Sequence, residues 1–407
     1  MEPVRIGIVG GGPAGAYAAW EAARLGHDVT FFDHRAPWEK PCGGGITVKA
    51  QEDFPWLAEI APLGHGVVDF RLLSPTDREV AFSCPRPTLI FARAILDEEI
   101  RKRAQAAGAR RSGRKVQRIE RRTGGGWLLE AQGEVHAVDL LVGADGAVGK
   151  TREILIPDFP GYQASITSGF FIPARLDRIE TKFFKEARGY LWFFPRPDHL
   201  SVGLCLWDGH GLETRGAETR RRLLALLDRY FPGLDPESGK GYGAFIPTIL
   251  EPECWAVDRG GDDWAVVGDA GGFVDAITGE GIYYALKSAR AWARALAAGA
   301  PERYDAEWRG EFGDELAKAS SLVRRFYEPR FIERVIRFGR GNREIRTVLS
   351  DLVMGTQPYV TLRSRLEREV LRSGWRQLTS WIPSRRKNGG DPSALRTGSM
   401  EIERSIR

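Results

Sequence analysis

Residues 4–33 read VRIGIVGGGPAGAYAAWEAARLGHDVTFFD. This stretch opens with an apolar strand, turns through glycines, continues as an alanine-rich helix and returns to an apolar strand that ends at Asp33. Gly10, Gly12 and Gly15 form G-x-G-x-x-G, where the first glycine allows a tight turn, the second admits a pyrophosphate and the third lets helix and strand approach. The stretch therefore predicts a dinucleotide-binding βαβ unit.

The same turn supplies further predicted cofactor contacts. Pro13 and Ala14 begin the helix, and the amides at a helix N-terminus face a bound phosphate. Asp33, at the end of the second strand, is placed to accept a hydrogen bond from a ribose hydroxyl. The alternative is a helix start that merely happens to be rich in glycine.

Length and composition indicate a soluble globular protein of more than one domain. The chain has 407 residues, of which 43% are hydrophobic and 28% charged. It contains no run of about 18 apolar residues and no charged and apolar leader, which predicts a cytoplasmic protein without a spanning helix. The four cysteines and six histidines share no short spacing, so neither a metal site nor a disulfide framework is predicted.

The net charge of +5 is compatible with nucleic acid, an acidic ligand or an anionic membrane as partner. Nucleic acid is the weakest of the three, because no helix-turn-helix pattern, zinc finger or basic aromatic platform is present. The positions of the basic residues must decide between the other two.

Two more glycine-rich stretches accompany the first, GADG at 143–146 and GDA at 268–270. The three together resemble FAD-dependent enzymes with the glutathione-reductase-type nucleotide fold, in the branch that contains the aromatic hydroxylases. One βαβ unit can bind only the ADP half of FAD, so other loops must reach the ribityl chain and the ring. The resemblance implies that Asp269 binds a hydroxyl of the ribityl or pyrophosphate side, and that Gly279, Gly281 and Ile282 approach the ring.

The segment FARAILDEEIRKRAQAAGAR at 91–110 predicts an amphipathic helix with Ile95, Leu96 and Ile100 on its apolar side and basic residues opposite. In the resembling branch, the arginine that matches Arg93 reaches the cofactor. Asp145 in GADG is expected to organise strand, helix and cofactor edge. The alternative for Asp97 and Asp145 is an ordinary surface ion pair, and the role of Asp275 is open.

The fold class that follows is α/β, with a Rossmann-like, discontinuous FAD-binding domain, an inserted antiparallel β-sheet substrate domain and a C-terminal helical region. The predicted bounds are 1–160 and 255–300 for the FAD-binding domain, with part of the substrate sheet near 62–90. They are 161–254 for the substrate domain, 301–383 for the helices and 384–407 for a flexible tail. Only one full dinucleotide fingerprint is present, so NADPH or another electron donor is expected to bind transiently.

Three stretches narrow the resemblance to the geranylgeranyl reductase family: KPCGGGI at 40–46, YLWFFP at 190–195 and TGEGIYYALKSAR at 278–290. The likeness covers roughly residues 1 to 300. It implies an FAD-dependent reductase that saturates C=C bonds of an isoprenoid lipid, with a geranylgeranyl-type or polyprenyl-quinone substrate. Hydride would come from flavin N5 and the proton from, or by way of, Cys42.

The thiol-bearing loop, within residues 40–46, has two possible interpretations. Gly43 and Gly44 would let the loop fold closely over the flavin ring and over the substrate, holding Cys42 near the reacting carbons. A thiol is a reasonable proton donor, because it is protonated at neutral pH. Alternatively, Cys42 is a small apolar residue that packs under a loop.

Tyr190, Trp192 and Phe194 alternate along a predicted strand and therefore point to one face, with Phe193 on the other. That face would be a substrate-binding wall for a polyprenyl chain, on which each buried CH₂ contributes on the order of 0.8 kcal/mol. Core packing of the sheet is the alternative.

Residues 361–387 carry eight arginines or lysines against two glutamates. Apolar residues fall near helical spacing there, which favours a non-spanning contact with an anionic membrane, peripheral on the inner face. An ordinary solvated helix that packs on the protein body would show the same sequence pattern. The apolar positions are Leu362, Leu366, Val370, Trp375, Leu378 and Trp381.

Two other functions share these features. An FAD-dependent monooxygenase or halogenase has the same cofactor signature, although the W-x-W-x-I segment usual in halogenases is missing from this sequence. A non-catalytic prenyl-lipid carrier on the same fold is the alternative of another class, and the intact Gly10, Gly12, Gly15 and Asp269 argue against it.

Overall fold

The computed structural model describes residues 2–185, 187–206 and 216–373. Within these ranges the chain forms sixteen strands. In chain order they are β1 (Arg5–Val9), β2 (Asp28–Phe32), β3 (Gly45–Ile46), β4 (His65–Leu73), β5 (Glu79–Ile90), β6 (Arg110–Ser112), β7 (Val116–Arg121), β8 (Trp127–Ala131), β9 (Glu134–Val138), β10 (Leu140–Gly143), β11 (Tyr162–Ile172), β12 (Ile179–Phe183), β13 (Gly189–Pro195), β14 (Leu200–Leu206), β15 (Lys240–Ile249) and β16 (Trp264–Val266).

The same residues form twelve α-helices. They are α1 (Pro13–Arg24), α2 (Val48–Asp53), α3 (Leu57–Ile60), α4 (Arg93–Ala106), α5 (Lys150–Leu155), α6 (Gly216–Tyr230), α7 (Ile282–Ala297), α8 (Tyr304–Trp308), α9 (Asp314–Phe326), α10 (Pro329–Gly341), α11 (Arg343–Val353) and α12 (Tyr359–Ser373).

A five-stranded parallel sheet, with the order β16-β10-β1-β2-β6, forms the nucleotide-binding half. Helices α1, α4 and α7 contribute to the apolar core on one face of this sheet. The small antiparallel sheet β7-β8-β9 covers the other face through residues such as Trp127 and Leu129. Because both faces are covered, β1, β10 and β16 are largely apolar, as parallel strands usually are, while the edge strand β6 has the sequence RRS.

An eight-stranded sheet, with the order β15-β11-β14-β13-β12-β4-β5-β3, forms the second half. Its pairs are antiparallel except for β12 with β4. Leu191 and Phe193 pack on Leu223 and Leu227 of α6. This helix interrupts the stretch that the sequence predicts as β-rich, because leucines spaced four residues apart give it an apolar stripe.

Helices α9 to α12 cover the opposite side of the second sheet. Leu322, Ile332, Ile345 and Tyr359 share a core cluster with Trp192 of β13. Leu362 and Leu366 of α12 also pack against that cluster, so this part of the predicted interfacial helix lies on the protein body. Trp375, Leu378, Trp381 and the predicted flexible tail at 384–407 lie outside the described residues, as does the side chain of Val370.

The predicted α/β fold class, with a parallel nucleotide-binding sheet, a separate antiparallel sheet and C-terminal helices, is confirmed. The domain boundaries drawn from the sequence remain a proposal. Among the described helices, none combines the length and the apolar character needed to cross a bilayer.

Candidate functional site

The predicted cofactor residues gather where the strands of the parallel sheet end. The glycine turn follows β1, Asp33 follows β2, Asp145 follows β10 and Asp269 follows β16. Because all four strands are parallel, their carboxyl ends meet at one edge, which is where ligands bind in open α/β sheets. The pairing of β10 with β1 and β16 thus brings together segments more than a hundred residues apart.

The glycine turn leaves its outer side open. Gly10 has a φ of +113°, and a Cβ there would lie 2.2 Å from the carbonyl oxygen of Ala144. A Cβ on Gly12 would meet no heavy atom within 4 Å. Pro13 and Ala14 begin α1 directly behind this open position. A pyrophosphate can therefore approach the backbone at Gly12 and the start of the helix.

Asp33 is held by an arginine that the sequence analysis does not single out. Arg101 Nη1 donates to the carbonyl oxygen of Gly11 at 3.0 Å and to Asp33 Oδ2 at 3.2 Å. Its side chain is 3% exposed, and Nη2 has no hydrogen-bond partner among the described residues. An unpaired buried N–H beside the glycine turn fits an acceptor of the cofactor, such as a ribose or phosphate oxygen.

Arg101 belongs to a buried polar stripe on α4. Arg93, Asp97 and Arg101 are spaced four residues apart and are all nearly inaccessible. The prediction that the basic residues of this helix face away from its buried side is wrong for both arginines. It is also wrong for Ile95, which is 38% exposed, while Leu96 and Ile100 are buried. The 3.6-residue period places the polar stripe next to the apolar one, so both face inward.

Arg93 lies at the thiol-bearing end of that stripe. Its Nε and Nη2 atoms donate to the two carboxylate oxygens of Asp97, each at 2.9 Å. Burial lowers the pKa of the Arg93 guanidinium, but Asp97 and the neighbouring Cys42 thiol raise it above its ordinary value overall. Asp97 is thus a buried partner of Arg93, and not a surface residue.

Asp145 holds the N-terminus of α5. Its carboxylate accepts hydrogen bonds from the Thr151 amide at 3.0 Å and from the Thr151 hydroxyl. Burial raises the pKa of this carboxyl group. The observed contacts organise the β10–α5 connection, which is one of the two roles that the sequence suggests.

Asp269 joins the GDA turn to the thiol-bearing loop. Its Oδ2 atom accepts from Lys40 Nζ at 2.9 Å, in a pair that is mostly buried. A Cβ on Gly281 would lie 3.2 Å from Oδ1, so the backbone approaches the other carboxylate oxygen closely. Ile282 begins α7 beside this contact. The sequence does not indicate the Lys40 pair, since its partners are 229 residues apart.

The thiol-bearing loop at residues 41–45 is folded tightly. Gly44 has a φ of +85°, and a Cβ there would lie 2.1 Å from the carbonyl oxygen of Phe91. The Gly44 amide donates to the Sγ atom of Cys42 at 3.3 Å. Cβ atoms on Gly43 and Gly45 would lie about 3 Å from the ring of Phe194. The glycines therefore let the loop lie flat against the aromatic strand.

The three aromatic residues of β13 face one side of the sheet, as the alternation predicts. The Tyr190 hydroxyl donates to the carbonyl oxygen of Thr278 at 2.6 Å, and burial raises the Tyr190 pKa well above its ordinary value. Trp192 lies over Gly203, where a Cβ would be 2.1 Å from the indole. Each ring packs on neighbours, and each also lines a cavity.

That cavity has a volume of about 210 Å³. Residues 41–45, the aromatic positions of β13 and the turn at 278–282 line it. Helices α9 and α12 contribute Glu315 and Tyr359 to its wall. The structure thus brings Cys42, Gly43, Gly44, Gly279, Gly281 and the aromatic wall into one space.

The cavity also contains charged groups whose positions the sequence does not reveal. Lys49 Nζ pairs with Glu280 at 3.0 Å. Asp275 is almost fully buried, and its burial raises its pKa. Burial likewise raises the pKa of Glu315, which accepts hydrogen bonds from the first amides of α12. No group of three or more metal-ligating side chains occurs within the described ranges.

Comparison with known proteins identifies relatives. A family model described as an NAD(P)-binding Rossmann-like domain matches residues 8–47. The chain is 34% identical over 312 residues to the geranylgeranyl diphosphate reductase of Rhodobacter capsulatus, covering 72% of this chain and 74% of that protein. It is 30% identical over 363 residues to the menaquinone reductase of Mycolicibacterium smegmatis, covering 80% of this chain and 85% of that protein.

A solved structure has the same fold. The geranylgeranyl bacteriochlorophyll reductase-like protein of Thermoplasma acidophilum superposes with a TM-score of 0.72. The superposition covers 90% of this chain and 99% of that chain, at 18% sequence identity. At this identity the likeness establishes the common fold.

Proposed function

The chain belongs to the geranylgeranyl reductase family, and from this membership we propose that it is an FAD-dependent reductase of C=C bonds in an isoprenoid lipid. The observation that carries the proposal is the cavity, in which a thiol, a glycine loop and an aromatic wall meet the turn at 278–282. The two relatives act, by their names, on a geranylgeranyl diphosphate and on menaquinone. Both of these molecules carry isoprenoid chains.

FAD fits the residues at the edge of the parallel sheet. Gly12 and the start of α1 would hold the pyrophosphate, Asp33 and Arg101 the adenosine ribose, and Asp269 a ribityl hydroxyl. The unpaired Nη2 atom of Arg101 supports this placement. When bound and reduced, FAD supplies a hydride from N5 to one carbon of the double bond.

The chain's own residues would supply orientation and the proton. The rings of Tyr190, Trp192 and Phe194 would hold the prenyl chain by apolar contact. Cys42 transfers its thiol proton to the second carbon, directly or through a water, and the thiolate recovers a proton from solvent. Saturation of one bond in this way would consume two electrons, which an external two-electron donor would have to replace. We propose NADPH, bound transiently, as that donor.

Membrane contact is a separate part of the proposal. The basic residues between 361 and 387 would hold the protein on an anionic membrane surface, where a lipid could enter without crossing water. The protein would then be cytoplasmic and peripheral on the inner face.

The lipid content of a deletion strain tests the function. We expect polyprenyl lipids to gain unsaturation, seen by mass spectrometry as species that each lack the mass of two hydrogen atoms. Unchanged lipids would contradict the proposal. Rapid NADPH oxidation by the purified protein, with peroxide release and an oxygenated product, would favour the monooxygenase instead. A colourless protein without flavin absorbance would favour the carrier.

The Cys42→Ala substitution tests the thiol. A general acid typically contributes a factor of at least about a hundred to the rate, so alkene reduction should fall by that order. FAD should remain bound, because Gly12 and the start of α1, which would hold the pyrophosphate, are unchanged. Single-turnover reduction of a prenyl lipid by the dithionite-reduced enzyme measures the change, and an unchanged rate would remove the thiol from the mechanism.

A further inference from the structure

The backbone of Cys42 is held from the second sheet. Its carbonyl oxygen accepts a hydrogen bond from Arg196 Nη2 at 2.6 Å and another from Ser201 Oγ at 3.0 Å. Arg196 comes directly after β13, and Ser201 lies on β14. The residue after β13 and a residue near the start of β14 therefore bind the loop that carries the thiol.

Arg196 is buried and joins a third element. Its side chain has no exposed surface, and its Nη1 atom forms an ion pair with Glu39. The Glu39 carboxylate also accepts hydrogen bonds from the amides of Arg93 and Ala94, each at 2.9 Å, at the start of α4. The guanidinium lies over the ring of Phe171, 4.8 Å from its centroid. Loop, sheet and helix thus meet at one charge pair.

A buried ion pair of this kind is costly to disrupt. Removing one partner leaves an unpaired charge away from water, which is strongly unfavourable. The guanidinium fork suits this position because it can bind a carboxylate and a carbonyl oxygen at the same time, whereas an ammonium has no fixed geometry. The two contacts of Arg196 are therefore specific to arginine.

Backbone contacts hold the far end of the loop: the Phe91 amide donates to the carbonyl oxygen of Gly44 at 2.9 Å, and Gly45 pairs with Ile90 of β5. Residues 43–45 are glycines and carry no side chains, and the ring of Phe194 lies beside Gly43 and Gly45. Because glycine is conformationally permissive, the loop would gain freedom if its backbone hydrogen bonds were lost. On the side of the second sheet, the carbonyl oxygen of Cys42 is the atom through which Arg196 and Ser201 hold the thiol-bearing residue.

We propose that Arg196, braced by Glu39, is a positioning residue that fixes the Cys42 thiol against the prenyl-binding wall. The inference rests on the proposed function for its catalytic consequence, but the loop geometry stands apart from it. Arg196 acts through the backbone of Cys42 and contacts neither the double bond nor the flavin. It determines the position of the Cys42 thiol relative to the double bond of the bound substrate.

The Arg196→Lys substitution tests this role. Lysine keeps the charge and can pair with Glu39, but it cannot also hold the carbonyl oxygen in the same geometry. We expect the single-turnover rate to fall by roughly tenfold to a hundredfold, the order expected for a displacement of about 1 Å, while KM changes little. Alkylation of Cys42 by iodoacetamide, followed by peptide mass spectrometry, should become several-fold faster, since the released loop exposes the thiol. Unchanged alkylation would overturn the proposal.

A double substitution separates positioning from general stability. In a Cys42→Ala background, Arg196→Lys should cause no further loss of turnover, because the group that it positions has gone. Equal losses in both backgrounds would show that Arg196 acts elsewhere and would overturn the proposal. Glu39→Gln, which removes the charge but keeps the shape, should show the same pattern as Arg196→Lys in a weaker form.

Arg178→Lys is the matched control. Arg178 lies just before β12 of the same sheet, pairs with Glu180 at 2.7 Å and is half-exposed. The Arg178→Lys substitution should alter neither the turnover of prenyl lipid nor the alkylation rate of Cys42. If the protein reduces no prenyl lipid at all, the proposed function fails, while the alkylation rates still decide whether Arg196 holds the loop.

Discussion

At the scale of single residues, the site depends on buried arginines that bind backbone carbonyls. Arg101 binds the carbonyl of Gly11, and Arg196 binds that of Cys42. Each carbonyl belongs to a glycine-rich segment whose residues have few side chains to anchor them. A guanidinium is a suitable partner because its several donors lie in a rigid plane. Both functional loops are thus fixed by long side chains from other elements.

Replacing Arg101 with methionine should weaken FAD binding. The hydrogen bonds of a charged group are worth roughly 1.5–3 kcal/mol each, and about 1.4 kcal/mol corresponds to a factor of ten in Kd. We therefore expect a loss of affinity of at least about tenfold, measured by equilibrium dialysis of the flavin.

Lys102→Met is the control for Arg101. Lys102 is the next residue, but its side chain is 62% exposed and pairs only with Glu99 among its described contacts. An exposed pair of this kind contributes little, so FAD affinity should not change. If Arg101→Met also left the affinity for FAD unchanged, Arg101 would stabilise the glycine turn without contributing to FAD binding.

At the scale of elements, the turn between β16 and α7 is organised around a buried acid. Asp275 Oδ1 accepts hydrogen bonds from the amides of Ile277 at 2.7 Å and Thr278 at 3.1 Å. This local pattern is typical of aspartate in turns. It brings the carbonyl oxygen of Thr278 within reach of the Tyr190 hydroxyl, which donates a hydrogen bond to it and so connects the turn to the aromatic wall.

The Asp275→Asn substitution should make the protein relatively more stable as the pH rises. Burial raises the pKa of Asp275 above its ordinary value of 3.8, so the folded state prefers the neutral acid. The stability that this preference contributes is complete below the ordinary pKa and is lost as pH rises through the folded pKa. Asparagine keeps the acceptor oxygen and has no charge to bury. Urea unfolding from about pH 4 to about pH 7 should show the difference between variant and wild type growing.

Asp262→Asn serves as the comparison for Asp275. Asp262 is exposed, so its replacement by asparagine removes no buried charge. Its effect on unfolding should therefore not vary with pH. A pH-independent difference for Asp275→Asn as well would mean that burial does not control that carboxyl group.

At the scale of the whole molecule, the cavity forms where three bodies meet. The parallel sheet contributes the turns after its strands, the second sheet contributes β13, and the C-terminal helices close the far side through α9 and α12. Tyr359 at the start of α12 lines the cavity, and Leu362 and Leu366 anchor that helix to the core. A truncation intended to test membrane contact must therefore leave α12 intact.

Deleting residues 374–407 should reduce binding to anionic vesicles. This segment has seven arginines or lysines against three acidic residues, and each basic residue near an anionic surface contributes on the order of 1 kcal/mol. We expect the full chain to float with phosphatidylserine vesicles and the truncated chain to float much less. Flavin content should be equal in both.

Vesicles of neutral lipid and added salt are the controls for this experiment. Because the attraction is electrostatic, flotation of the full chain should decrease in both cases. The combined substitutions Arg385→Gln, Arg386→Gln and Lys387→Gln in the full chain should reproduce part of the loss of flotation. Equal flotation of the full and truncated chains would assign the basic residues to an ordinary solvated surface.

Short segments of the sequence were enough to predict the strand-turn-helix unit at 4–33, the strand ends that carry Asp33, Asp145 and Asp269, and the aromatic face of β13. These features follow from backbone geometry and side-chain period within short segments, which neighbouring residues control. The side chains that hold these features come from distant segments and were found only in the folded chain. Arg196 and Cys42 are 154 residues apart, and Lys40 and Asp269 are 229 apart, so nothing in the local pattern indicates that they meet. The four-residue spacing of Arg93, Asp97 and Arg101 is visible in the sequence. The burial of that polar stripe is not, because it depends on the packing of α4 against the glycine turn.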